Sequence, residues 1–224
     1  MFIVAGQTPS PPPDSSVYPF SIVYVGDEKI EKYRKLPEKV LLALQHIYEK
    51  YLDQFDWFFK ADDDTYVIME NLRHLLRRRP SNASFYFGYV AKTPDRYYPS
   101  GGAGYVLSHE ALRQFGREIL SQPEKRALCN KDEAEDINLA YCLARAGIYV
   151  MNARDDRQLE RFHPMTFEQH YLGKFTKWIE RNAQFAQKKG DECCSPLTIS
   201  FHSLGPDEMK MMHFLLYHIR KASI

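Results

Sequence analysis

Apolar residues change their spacing repeatedly along the chain, and each change marks an element. Phe20-Ser-Ile-Val-Tyr-Val25 is a β-forming run closed by Gly26-Asp27, which predicts a strand. Pro37 opens a helix, a favoured first position, with Val40, Leu41, Leu44, Ile47, Tyr48 and Tyr51 on one stripe. Phe55-Asp-Trp-Phe-Phe59 is a short apolar run of the kind found in buried strands. A second helix is predicted from about Val67 to Arg78, with Leu72, Leu75 and Leu76 inward, and a strand over Ser84–Val90. After a polar loop, Ser100-Gly101-Gly102-Ala103-Gly104 leads into Tyr105-Val-Leu107. Ser108 is the candidate N-cap of a helix to about Leu120, with Glu110 in its first turn. Ala134–Ala146 reads as a helix ending at Gly147, and Ile148-Tyr-Val150 as a strand. Residues 153–195 have no clear period. Thr198–Phe201 is a strand candidate. Pro206 opens a last amphipathic helix, with Met211, Met212, Leu215, Leu216 and Ile219 expected to face inward. Strands alternating with helices predict an α/β sandwich. Five prolines between residues 7 and 19 make 1–19 an extended, poorly ordered leader and 20–224 the folded domain.

Composition narrows the class. The chain has 224 residues, 44% of them hydrophobic, enough for one sizeable domain or two small ones. A net charge of +1 gives no global signature of a nucleic-acid binder, so no nucleic-acid partner is expected. Arg77-Arg78-Arg79 fits a solvated helix end, where the helix dipole favours cations. No stretch is long and apolar enough to span a bilayer, and Met1–Ala5 is too short for a secretory signal. Cys129, Cys142, Cys193 and Cys194 match no zinc-binding spacing. Their even number and the sequon Asn82-Ala83-Ser84 lean towards a lumenal protein. Buried free thiols in a cytosolic protein are the alternative.

The candidate chemistry lies in Asp62-Asp63-Asp64. Crowded carboxylates repel, so one would be protonated without a counterion. A divalent cation removes the conflict, since hard cations prefer carboxylate oxygens and a diphosphate can complete the ligand set. In extended backbone, Asp62 and Asp64 point to one side. A solvated acidic turn or helix cap is the plain alternative. The apolar run before the triplet favours a ligand site, because ligands bind at strand C-terminal ends in α/β folds. A phosphotransferase of the Asp-x-Asp-x-Thr/Val type fits poorly: its fifth residue here is Tyr66, and Thr65 comes one position early.

The segment Asp56–Leu72 resembles the fringe-like β1,3-glycosyltransferases, and within them most closely the core 1 β1,3-galactosyltransferases. Further blocks agree in order: Tyr86-Phe-Gly88, Ser100–Ser108, Glu135-Asp136, Cys193-Cys194-Ser195 leading to Ser200-Phe201-His202, and the final helix ending Tyr217-His-Ile-Arg220. The resemblance covers roughly residues 20–220. It implies a GT-A fold, UDP-galactose as donor, Mn²⁺ as cofactor, and a glycoprotein acceptor bearing O-linked N-acetylgalactosamine. Asp64 would be the direct carboxylate ligand and His202 the second protein ligand. Asp62 and Asp63 would hold metal-bound water or the ribose, with Asp62 also a candidate metal ligand. Asp136, with Glu135 beside it, takes the position of the acid-or-base. Gly101 and Gly102 would let the backbone approach the sugar, with a plain turn as their alternative. Trp178 is a candidate acceptor platform, with core burial as its alternative. Cys129 and Cys142 resemble a family disulfide, and Cys193-Cys194 a vicinal one.

The resemblance also implies the Golgi lumen, a membrane anchor that this chain is expected to lack, and a homodimer or chaperone-assisted folding. The family pattern is joined only near Phe20, so the first β-α unit, which helps bind uridine, is expected to be lacking. A relative using UDP-N-acetylglucosamine would keep the same metal site. The alternative function is a non-catalytic member or short isoform acting as a folding partner; the related chaperone lacks the acidic triplet that this chain keeps.

Overall fold

A computed structural model describes residues 2–5, 21–129 and 134–220. Two strands open the chain, β1 (Phe2–Ala5) and β2 (Ser21–Tyr24), paired in parallel with Phe2 opposite Ser21 and Ala5 opposite Tyr24. The expected leader over 1–19 is therefore corrected at its front: a strand precedes β2. Phe2-Ile-Val-Ala5 is itself a β-forming run, and the prolines that follow it do not prevent pairing. Residues 6–20, including Phe20, lie outside the described residues.

The elements then follow as α1 (Leu36–Tyr51), β3 (Trp57–Lys60), β4 (Tyr66–Val67), α2 (Met69–Leu76), β5 (Tyr86–Gly88), β6 (Val90–Lys92), β7 (Tyr97–Pro99) and β8 (Tyr105–Ser108). Next come α3 (His109–Phe115), α4 (Pro123–Ala127), α5 (Glu135–Arg145), β9 (Phe162–His163), α6 (Phe167–Leu172), α7 (Lys177–Asn182), β10 (Ser200–Phe201) and α8 (Pro206–Tyr217). Helices and strands interleave in an α/β fold. One sheet has the order β3-β8-β5, a second β4-β10-β9, and β6 pairs with β7.

Two units share these elements. One comprises residues 1–58, 81–86 and 107–149. Its core is helical: Val40, Leu41 and Leu44 of α1 are buried, as are Leu112 and Phe115 of α3 and Leu139 and Leu143 of α5. The predicted N-cap holds, since Ser108 accepts a hydrogen bond from the Ala111 amide at 3.1 Å. Helix α3 runs on into a π-turn at Gly116–Leu120. Gly116 lies directly under the Tyr48 ring, so any larger side chain there would collide with it. A disulfide joins Cys129 to Cys142 of α5.

The other unit comprises residues 59–80, 87–106 and 150–224. Leu72, Leu75 and Leu76 of α2 are buried as predicted, together with Phe162, Ile179, Ile199 and Phe201. The segment without a sequence period contains β9, α6 and α7. Helix α6 carries a Thr166–Gln169 capping box and ends on Gly173 at φ 67°, the left-handed conformation glycine favours. Cys193 and Cys194 form the vicinal disulfide.

Three expectations are corrected. Ile148–Val150 is not a strand; a single parallel bridge joins Phe87 to Met151 instead. Phe55 stays outside β3 and is exposed, and β3 is half-buried along its length. The apolar residues of α8 do not face inward. Met211, Leu215 and Leu216, and Ile219 just past the helix end, are 46–58% exposed, and Met212 is half-buried. Periodicity shows that a helix has an apolar face, not that its own chain covers it. Helix α8 is held by its polar groups, with Tyr217 donating to Glu70 at 2.6 Å and Tyr66 paired with His213 at 3.1 Å. No helix among the described residues is long and apolar enough to cross a membrane.

Candidate metal and donor site

The acidic triplet leaves β3 and enters a turn rather than extended backbone. The Thr65 amide donates to the Asp62 carbonyl at 3.2 Å, and the Asp62 amide to the Thr65 hydroxyl at 3.3 Å. The buried Thr65 hydroxyl donates in turn to the Gly102 carbonyl at 2.8 Å, tying the triplet to the glycine-rich loop. Strand β4 then pairs antiparallel with β10, Tyr66 opposite Phe201. That register brings the residue after β10, His202, alongside the turn. The Leu204 amide donates to the Asp64 carbonyl at 3.1 Å and fixes the approach.

Asp62, Asp64 and His202 consequently offer one ligand atom each, all within 4.8 Å of one another. His202 Nε2 stands 3.1 Å from Asp64 Oδ1 and 3.9 Å from Asp62 Oδ2. Its other nitrogen, Nδ1, lies 3.2 Å from the Pro164 carbonyl oxygen. A carbonyl only accepts, so Nδ1 carries the proton in that bond, and Nε2 is the nitrogen left facing the two carboxylates. Carboxylate oxygens and an imidazole nitrogen at this separation converge on a position that a cation, or a second ring proton, would fill. Carbonyl-oriented imidazole is also how metal-ligating histidines are held. Two carboxylate oxygens and one imidazole nitrogen suit a divalent ion such as Mn²⁺, and no thiol belongs to the group.

Lys60 is the cation that sequence reasoning missed. Its Nζ reaches Asp62 Oδ1 at 2.6 Å and the Gly101 carbonyl at 3.3 Å. It offsets part of the triplet's charge and ties Asp62 to the glycine loop. Its position two residues before Asp62 was the available signal. Asp63 is exposed and outside the cluster. Gly102 has the clearest steric reason for its identity: a Cβ there would stand 2.6 Å from both ring nitrogens of His202. Gly104, at φ 79°, turns the loop against Phe59, where a Cβ would come within 2.6 Å of the ring.

Glu135 and Asp136 occupy the first turn of α5, in the other unit. Glu135 is buried and Asp136 half-buried. Burial, followed by the charges of Glu135 and Asp136, pushes the Tyr86 phenol well above its ordinary range. Trp178 is 38% exposed on α7, so it is not a core residue. Two further histidines are buried, His163 in β9 and His170 in α6. His163 stacks on Phe201 at 4.6 Å and meets His170 edge-on at 4.8 Å. Burial holds His163 well below the usual histidine range and lowers His170 to about 4. Burial also raises Glu160 to about 7, against the opposing pull of Arg154.

A family model described as Fringe-like matches residues 33–214. The chain is 37% identical over 192 residues to the Xenopus laevis protein named glycoprotein-N-acetylgalactosamine 3-beta-galactosyltransferase 1, covering 83% of this chain and 52% of that protein. It thus spans about half the length of that relative. A human beta-1,3-glucosyltransferase is 28% identical over 138 residues, 60% of this chain and 26% of that protein. Human chondroitin sulfate synthase 3 is 26% identical over 121 residues, 49% of this chain and 13% of that protein.

Proposed function

The chain belongs to the Fringe-like family, and we propose that it is an inverting glycosyltransferase moving galactose from UDP-galactose, in β1,3 linkage, onto O-linked N-acetylgalactosamine of glycoproteins. The observation that carries this reading is the group of Asp62, Asp64 and His202, with His202 Nε2 facing the carboxylates at 3.1 Å. The choice of galactose and of acceptor follows the name of the Xenopus relative. The assignment to the Golgi lumen is supported by the same likeness, and the two disulfides fit an oxidising compartment.

Asp64 and His202 would hold Mn²⁺, with Asp62 beside them. A bound divalent cation supplies positive charge for the leaving diphosphate. The Pro164 carbonyl orients the His202 ring, and Lys60 holds Asp62 in place. Asp63 is assigned to the donor's ribose or to water. The backbone at Gly101 and Gly102 borders the donor. Asp136 is assigned as the base that takes the acceptor hydroxyl's proton as the sugar–oxygen bond forms and UDP departs, with Glu135 shaping its surroundings. Inversion needs only this single displacement.

The test is Mn²⁺-dependent transfer from UDP-galactose to an N-acetylgalactosaminyl peptide, run beside calorimetric titration with several UDP-sugars. Transfer is expected from UDP-galactose, and Asp64→Asn is expected to abolish metal-dependent donor binding with the fold intact. Folded protein that binds no UDP–Mn²⁺ and transfers no sugar overturns the reading. Preferential binding of UDP-N-acetylglucosamine would overturn the donor assignment alone.

A further inference from the structure

The donor-site reading leaves the motif Asn82-Ala83-Ser84 unused. The chain has six asparagines, and only Asn82 has Ser or Thr two positions later. Among the described residues, the structure separates it from the other asparagines on a second count. Asn71 donates its amide to the Thr198 carbonyl and Asn182 to the Trp178 carbonyl, while Asn152 accepts from Arg154. Asn138 is 1% exposed. Asn82 is exposed in the turn between α2 and β5, as is Ser84. Among the described residues, neither side chain takes part in a hydrogen bond.

The backbone around the motif is held from within its own unit. The Glu110 amide donates to the Ser81 carbonyl at 3.0 Å. The Ser108 hydroxyl donates to the Ala83 carbonyl at 2.7 Å, and Ser81 Oγ donates to Asp56 at 2.8 Å. These bonds take up the inward groups and leave the two sequon side chains facing water. The preceding residue, Ser81, lines an open recess of about 390 Å³ together with the half-exposed Phe55. Asn82 itself is exposed, so a bulky substituent on it is not excluded by burial. All four cysteines are paired in disulfides. Such pairing belongs to an oxidising compartment, and N-glycosylation occurs in the secretory one.

We propose that Asn82 is an N-glycosylation site. The substrate is an oligosaccharide linked through a diphosphate to a lipid, and a lumenal oligosaccharide transferase makes the bond. The Asn82 amide nitrogen attacks the anomeric carbon and loses one of its two protons. The carbon–oxygen bond to the diphosphate breaks, and the lipid diphosphate leaves with the electron pair. Ser84 serves recognition through its hydroxyl. The site is independent of the galactosyltransferase reading: it requires lumenal synthesis, not catalysis.

The full chain is expressed behind a cleavable secretory signal in insect cells, and lumenal and secreted fractions are both read. Peptide N-glycosidase should increase mobility on a gel and leave Asp at position 82 in the tryptic peptide. Asn82→Gln and Ser84→Ala should each abolish the shift, and Ser84→Thr should keep it. Both positions are exposed, so these variants should melt as the unglycosylated parent does. An unmodified Asn82 peptide from disulfide-bonded protein in both fractions overturns the proposal. So does a shift that survives Asn82→Gln.

Discussion

Replacing Gly102 with Ala isolates the geometry of the donor site in one methyl group. Gly102 is not among the glycines with positive φ, so its backbone accepts Ala without strain. The added Cβ would lie 2.6 Å from His202 Nδ1 and Nε2. An ordinary carbon contact is about 3.5 Å, so the ring must retreat by about 1 Å. The ring is held by the Pro164 carbonyl at 3.2 Å and by Ser203 at 3.1 Å, and a shift of that size breaks the arrangement that aims Nε2. Binding constellations tolerate about 0.5 Å of displacement. Loss of an orienting contact to a metal ligand costs about 10–100-fold in metal affinity. Gly102→Ala should therefore weaken Mn²⁺–UDP binding about 10–100-fold by calorimetry, or about 1.4–2.7 kcal/mol. Overpacking should cost stability about 1–3 kcal/mol, read separately by denaturant titration. The same methyl added to His202→Ala should cost no further affinity, because the ring it displaces is gone. Unchanged affinity in Gly102→Ala, or an equal loss in both backgrounds, would refute the role given to this contact.

The buried His170 makes stability fall in acid. Its folded pKa of about 4 lies below the unfolded value of 6.5, so the unfolded chain binds more protons between these limits. Its contribution is complete above pH 6.5, and about 3 kcal/mol is lost as pH falls towards 4. Glu160, raised to about 7, opposes this, binding more protons when folded and favouring the native state as pH falls below 7. Urea titrations at pH 7 and 4.5 should show His170→Phe less acid-sensitive than the parent; equal sensitivity counts against the assignment. Breaking the Cys129–Cys142 bridge, whose sequence separation is 13, by a double serine substitution should cost about 3 kcal/mol on the loop-entropy model, again by urea titration. Leu112→Ala, in a fully buried position, should cost about 2–5 kcal/mol. Leu215→Ala, on the exposed face of α8, should cost less than about 1 kcal/mol; a larger loss would mean that α8 is covered in solution.

Local signals were legible where one element decided the outcome. The N-cap of α3 at Ser108 and the inward faces of α1 and α2 followed from spacing alone, because capping and amphipathicity act within a few residues. Asp62 and Asp64 were legible as candidate ligands for the same reason. His202 was not: only the family resemblance singled it out, because its partnership with Asp64 depends on the β4–β10 register. The Pro164 carbonyl left no mark in the sequence, since any residue supplies a carbonyl and only β9 beside β10 brings this one near. Ile148–Val150 has strand composition without a partner to pair with, and Tyr149 is 68% exposed. The exposed face of α8 is the reverse case: the period was right, and its burial did not follow from it.

The sheet order β4-β10-β9 has a thermodynamic consequence. The turn with Asp62 and Asp64 runs into β4, His202 follows β10, and Pro164 follows β9. These segments lie far apart along the chain, so the centre exists only after non-local pairings, which close late and at high entropic cost, are made. An ion that recognises all of them binds the native state and not its unfolded competitors. By mass action, cation at 100 times its dissociation constant would deepen the native well by about 2.7 kcal/mol. The melting temperature should then climb with the logarithm of free Mn²⁺ concentration, turning the loading of the centre into a thermometer for the integrity of three strands.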